Sequence, residues 1–143
     1  MGMRQLPRQV DTAAAGRATR GRELGERLVR LAEHLPAGDR VLLEQAFGRG
    51  MGMTELAILT GTSYRRLRRR ILRLARRVQS PTYRFLITHG TLLTPEVRRT
   101  CEHRVFHGCS LRQTARVTQQ SLHTVRRHAV MLDALAGRWG KNF

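Results

Sequence analysis

The sequence predicts an all-α fold in which one unit of three to four short helices occurs twice, the two copies packed together. Three observations predict it. First, Leu35 to Leu74 aligns with Leu93 to Leu132 without a gap, so that Gly50 falls on Gly108 at a displacement of 58. Identical pairs at that displacement include Leu35/Leu93, Arg40/Arg98, Glu44/Glu102, Ala57/Ala115, Thr60/Thr118, Ser63/Ser121, Arg68/Arg126, Arg69/Arg127 and Leu74/Leu132. Second, Leu67, Ile71, Leu74 and Val78 recur at steps of four, three and four, the spacing of one helix face. Third, a unit of this length buries little core by itself, so the two units need one another.

The elements follow in order. Residues 1–21 read as a flexible basic arm, because no convincing amphipathic period precedes Glu23. The first unit spans residues 22–78. Its leading helix runs from Arg22 to His34, and a second helix, Asp39 to Gly48, is expected to bury Leu42, Leu43, Ala46 and Phe47 before Gly50 and Gly52 break it. A short helix from Thr54 to Thr60 has Thr54 as its cap and Leu56, Ala57 and Leu59 directed inward. Gly61 makes the turn, and Ser63 caps the helix that ends near Val78. The second unit spans residues 79–135, and its leading helix, Pro81 to His89, has Ser80 as start and Gly90 as stop. Residues 136–143 are left as a tail.

Charge separates the possible functions. The chain carries a formal charge of +17, and Lys141 is its only lysine. Such a balance suits a phosphate backbone or an anionic surface. A GC-rich genome also favours arginine, so position says more than number. Position is telling in "SYRRLRRRILRLARRV", Ser63 to Val78: eight arginines surround the apolar stripe, and no acidic residue lies between Glu55 and Glu96. A face of that kind repels itself unless an anion meets it. No run of about 18 apolar residues offers a membrane span. Two cysteines, Cys101 and Cys109, do not make a disulfide framework, which points to a reducing cytoplasm.

Two short helices that cross steeply need a small residue at the contact and a turn residue tolerant of positive φ. Ala57 and Gly61 supply them, giving a helix-turn-helix. The pattern from Leu35-Pro36 through Glu55-Leu56-Ala57, Gly61, Ser63 and Leu67 resembles the C-terminal promoter-reading domain of bacterial sigma factors. The second copy, with Ser121 and Thr124-Val125-Arg126-Arg127-His128, resembles the related LuxR-type DNA-binding domain. The resemblance covers about residues 22–135. Gln119 stands where the turn glycine belongs, Arg65 and Arg66 replace the common Gly-Thr, and no core-binding region accompanies the two copies, so an ordinary sigma factor is not expected.

The resemblance implies that the helix after each turn enters the major groove. Carried onto these positions, Arg65, Arg66 and Arg69 of the first unit and His123, Thr124 and Arg127 of the second would face base edges. Ser63, Arg68, Arg73, Ser121 and Arg126 would lie nearer phosphates. The expected partner is double-stranded DNA, in the cytoplasm and on the nucleoid. The expected role is transcriptional regulation. Two alternatives stand beside it: a nonspecific nucleoid or RNA-binding protein, and a sigma-like adaptor with RNA polymerase as second partner.

"CEHRVFHGC" offers Cys101, His103, His107 and Cys109 as zinc ligands. Against that, Cys101 lies about 200° around the helix from His103 and overlies Leu43, a core position. No metal or other cofactor is expected. The chain shows no P-loop, acidic metal site or nucleophile motif, so no enzyme activity is expected either.

Overall fold

The computed structural model describes residues 6–141, with side chains at position 16 and at 20–140. It is all-α: α1 Leu6–Leu31, α2 Ala37–Leu43, α3 Met53–Thr60, α4 Tyr64–Gln79, α5 Pro81–His89, α6 Pro95–Val105, α7 Leu111–Thr118 and α8 Leu122–Lys141. There is no strand among the described residues.

The repeat seen in the sequence recurs in the backbone. At the same displacement, α1 and α5 end together, a 3₁₀ turn follows each (Ala32–His34 and Gly90–Leu92), α2 and α6 start together, α3 overlies α7, and α4 and α8 begin together. Gly50 and Gly108 share a left-handed φ of 65° and 68°, and so do Gly61 and Gln119 at 63° and 56°. Ser63 Oγ accepts from the Arg66 amide, and Ser121 Oγ accepts from the Thr124 amide. The caps fix both helix starts by satisfying amides that the first turn leaves without partners.

Each unit has its own core. Leu67, Ile71, Leu74 and Val78 of α4 are buried against Leu28, Leu42, Leu43, Leu56 and Ala57, as the spacing predicts. Burying each such side chain contributes about 1.5–3 kcal/mol. In the second unit Phe85, Leu86, Cys101, Leu132 and Ala136 form the smaller core, with Trp139 packed on it. Val105 and Phe106 pack against both cores and join them. The Tyr83 ring meets Phe106 edge-on with centroids 5.1 Å apart, Phe106 stacks on His34 at 5.3 Å, and the Tyr83 hydroxyl donates to the Leu31 carbonyl. Burial holds the Tyr83 phenol protonated, well above the usual tyrosine range.

Five expectations change. α1 begins at Leu6, not Arg22, so most of the segment read as a flexible arm is helical, and residues 1–5 lie outside the described residues. Ala13, Ala14, Ala15 and their arginine neighbours favour a helix by propensity, with no amphipathic period needed. α3 starts at Met53 behind Gly52, which makes no side-chain cap, so Thr54 lies inside the first turn and does not cap it. Leu59 is 68% exposed. Leu56 and Ala57 set the inner face of α3, and Leu59 falls about 110° from its centre. Ala46 and Phe47 are half-buried at the core's edge, where the helix widens into a π-turn, Glu44–Gly48, and shifts their register relative to the core. Residues 136–141, read as tail, continue α8, where Ala136 is buried and Leu135 and Trp139 pack beside it.

Candidate nucleic-acid interface

α4 is an amphipathic cylinder whose polar side is almost entirely guanidinium. Its apolar stripe is consumed by the core, which forces Arg65, Arg66, Arg68, Arg69, Arg70, Arg73 and Arg76 outward, all exposed. Of these, only Arg70 has a carboxylate partner among the described residues, Asp39 at 2.7 Å. The pair is half in solvent and contributes little stability. The uncompensated charge is the feature that folding does not explain.

The exposed arginines do not form one surface. Arg66, Arg69, Arg70, Arg73 and Arg77 line a cleft of about 640 Å³, together with Ser63 at the start of α4 and His107 from the second unit. Arg65 and Arg68 project from the other flank. Arg77 is half-buried, and its guanidinium occupies the space that a side chain at Gly108 would need. Arg70, Arg77 and His107 are not among the DNA-contacting residues expected from the sequence. Arg66, Arg70, Arg73 and Arg77 repeat at four, three and four, so the row was visible as a pattern; its meeting with His107 is tertiary.

In the second unit the expected readers stand differently. His123, Arg126, Arg127 and Ser121 are exposed. Thr124 is half-buried, and its hydroxyl accepts from Ser121 Oγ at 2.8 Å, so it is already engaged in the cap. His128, next to the reading face in sequence, is buried, with Nδ1 3.0 Å from Thr100 Oγ1. None of these residues lines the arginine cleft.

No protein-family model, curated protein or solved structure matches the chain. The site therefore has to be read from its own geometry. That geometry presents two capped helices, each following a short helix and a turn opened by one left-handed residue, Gly61 or Gln119, with exposed basic residues in the first two turns.

The cysteine–histidine cluster separates. Cys101 is buried at the position equivalent to Leu43, and burial pushes its thiol up to about 12, with Asp133 and Glu102 adding to the effect. A thiol so held is a small hydrophobe rather than a nucleophile. Cys109 is half-buried, and its carbonyl accepts from Arg104 at 2.7 Å. The His103 and His107 rings lie 5.1 Å apart, with burial, then each other's charge and Arg99, disfavouring protonation of His103. No group of three or more such ligands occurs among the described residues. No helix among them is long and apolar enough to cross a membrane.

Proposed function

We propose that the protein binds double-stranded DNA through its two helix-turn-helix units and regulates transcription. The observation that carries this reading is the exact recurrence, once per unit, of helix, left-handed turn and serine-capped helix with a basic exposed face. A capped helix start directs backbone amides and early side chains outward, the arrangement that enters a groove while neighbouring groups touch phosphates. In this reading Arg65, Arg66 and Arg69 meet base edges or the groove rim, Arg68 and Arg73 meet phosphates, and His123, Thr124 and Arg127 read bases with Ser121 and Arg126 beside the backbone. The likeness to the promoter-reading domain of sigma factors and to LuxR-type domains supports the same reading.

One observation favours the adaptor alternative, in which RNA polymerase is a second partner. On α3, Ile58 is 76% and Leu59 68% exposed, with Tyr64 exposed close by in sequence. At the matched positions α7 carries Arg116 and Val117. The first unit thus offers apolar surface that the second replaces in part by charge.

Selection of bound fragments from random duplex DNA tests the main reading. A defined motif is the expected result. Retention of all duplexes alike, or equal retention of RNA, would replace it with nonspecific nucleic-acid binding.

A further inference from the structure

The arginines of α4 fall into two rows, one on each flank of the buried stripe. At 100° per residue, Arg66, Arg70, Arg73 and Arg77 form one row, while Arg65 and Arg68 lie toward the opposite flank. Arg69 and Arg76, about 20° apart, stand at the crest between them. The first row forms a wall of the 640 Å³ cleft, a volume in the range of small-molecule sites. We propose that this cleft binds a compact polyphosphate, a small molecule carrying a chain of several phosphoryl groups.

Four arguments support it. The charge is concentrated and largely free: five guanidiniums line the cleft against the single carboxylate of Asp39, which Arg70 already holds. Guanidinium forks match phosphate oxygens two at a time, so a row of them suits a chain of phosphoryl groups better than an isolated anion. Gly61, Thr62 and Ser63 close one end with the N-terminus of α4, the positive end of its dipole. The shape is concave, as sites for small ligands are.

The fold does not require the row. The matched positions of α8 are Thr124, His128, Met131 and Leu135, none of them arginine, and the same backbone forms there without the charge. Four arginines in line repel one another, so retaining them costs stability unless an anion is bound.

The cleft is also assembled by both units. Gly108 adopts φ of +68°, as Gly50 does at +65°, but a Cβ at Gly50 would meet open space whereas one at Gly108 would overlap the Arg77 guanidinium. Glycine at 108 therefore serves the turn and also leaves Arg77 its place against the second unit, beside His107. This inference does not rest on DNA binding, since the cleft is addressed without DNA.

Titration calorimetry of the full chain with inorganic tripolyphosphate, orthophosphate and a nucleoside triphosphate tests it. One saturable tripolyphosphate per chain is expected, with orthophosphate far weaker. Arg66→Gln with Arg73→Gln, both exposed and outside the core, should weaken tripolyphosphate by roughly tenfold or more. Arg76→Gln with Arg84→Gln removes the same charge elsewhere and should change it by less than about threefold. Tighter binding of the nucleoside triphosphate would assign a nucleotide as the carrier, and equal or weaker binding the inorganic chain. Equal losses in the two double variants, or binding that never saturates, would reduce the cleft to diffuse attraction and overturn the proposal.

Discussion

Arg70 and His128 occupy the same place in the two units, seven residues into the second helix after the turn, and they do opposite things. Arg70 reaches out to Asp39 with half its side chain in solvent, while His128 turns in to Thr100 and is almost fully buried. The cause lies on the neighbouring helix. The first unit has Leu42 where the second has Thr100, and Asp39 where the second has Val97. A leucine offers the interior no hydrogen bond, whereas the threonine hydroxyl gives a buried imidazole the partner it needs. One backbone frame thus carries a charged flank in the first copy and a packed flank in the second. The comparison assigns charge to the first unit and a smaller, more varied polar set to the second.

The largest expected effect tests that division on DNA. With roughly 6 to 10 phosphates neutralised, affinity should fall by on the order of 10³ or more between 50 and 200 mM salt. Arg69→Ala should weaken all sequences by a similar factor and lower the salt slope by about one, because neighbouring arginines can serve the same phosphates. Arg127→Ala has fewer substitutes nearby and should cost about 1–3 kcal/mol on a selected site, with much less on scrambled DNA. Affinities of both variants on both DNAs decide the matter. A flat salt dependence removes the electrostatic role, and equal losses on both DNAs remove the division of labour.

The next effect is on stability. His128→Ala deletes a buried ring and takes away a partner of Thr100, so it should cost about 1–3 kcal/mol. Arg70→Ala removes only a half-exposed ion pair and should cost less than about 1 kcal/mol. Urea unfolding of the two variants gives the ratio directly. Equal midpoints would mean that the second unit's flank is no better packed than the first's.

These contrasts mark what could be read from residues alone. The repeat, the core stripe of α4, the serine caps and the start of α5 were legible because each depends on local spacing or on one helix end. Cys101 was also legible as a core residue, through its alignment with Leu43. Leu59 was not: α3 has eight residues, too few for periodicity to separate an inner from an outer leucine. Nor was the burial of His128, which depends on a hydroxyl 28 residues earlier in the chain. Among the proposed site residues, Arg66, Arg69, Arg73 and Ser63 come together along the cleft, and Arg65 and Arg68 stand apart from them. A list of arginines does not reveal a split between two flanks, but their angular positions do. Propensity without periodicity misled at α1, where alanine and arginine extend the helix to Leu6.

The smallest effect concerns the turns, where the two units agree in shape and differ in residue. Gly61 has φ 63° and ψ 24°, and Gln119 has φ 56° and ψ 37°. Glycine adopts this region freely, while a residue with a Cβ bears roughly 1–2 kcal/mol of strain. A Cβ built on Gly61 would meet nothing within 4 Å, so Gly61→Ala should be destabilising through the dihedral alone, by about 1 kcal/mol. Gln119→Gly runs the other way: it relieves strain in the folded turn but gives the unfolded chain more freedom, and the difference should be a gain of about 1 kcal/mol or less. Both are read from denaturant midpoints, with an unchanged m-value showing that the denatured state is not the cause. If Gly61→Ala proves neutral, the left-handed turn is not what sets the angle between α3 and α4, and the match between the two turns loses its meaning. If Gln119→Gly destabilises, the glutamine side chain supplies an interaction that outweighs the strain of its backbone, and the second turn is held by a different force from the first.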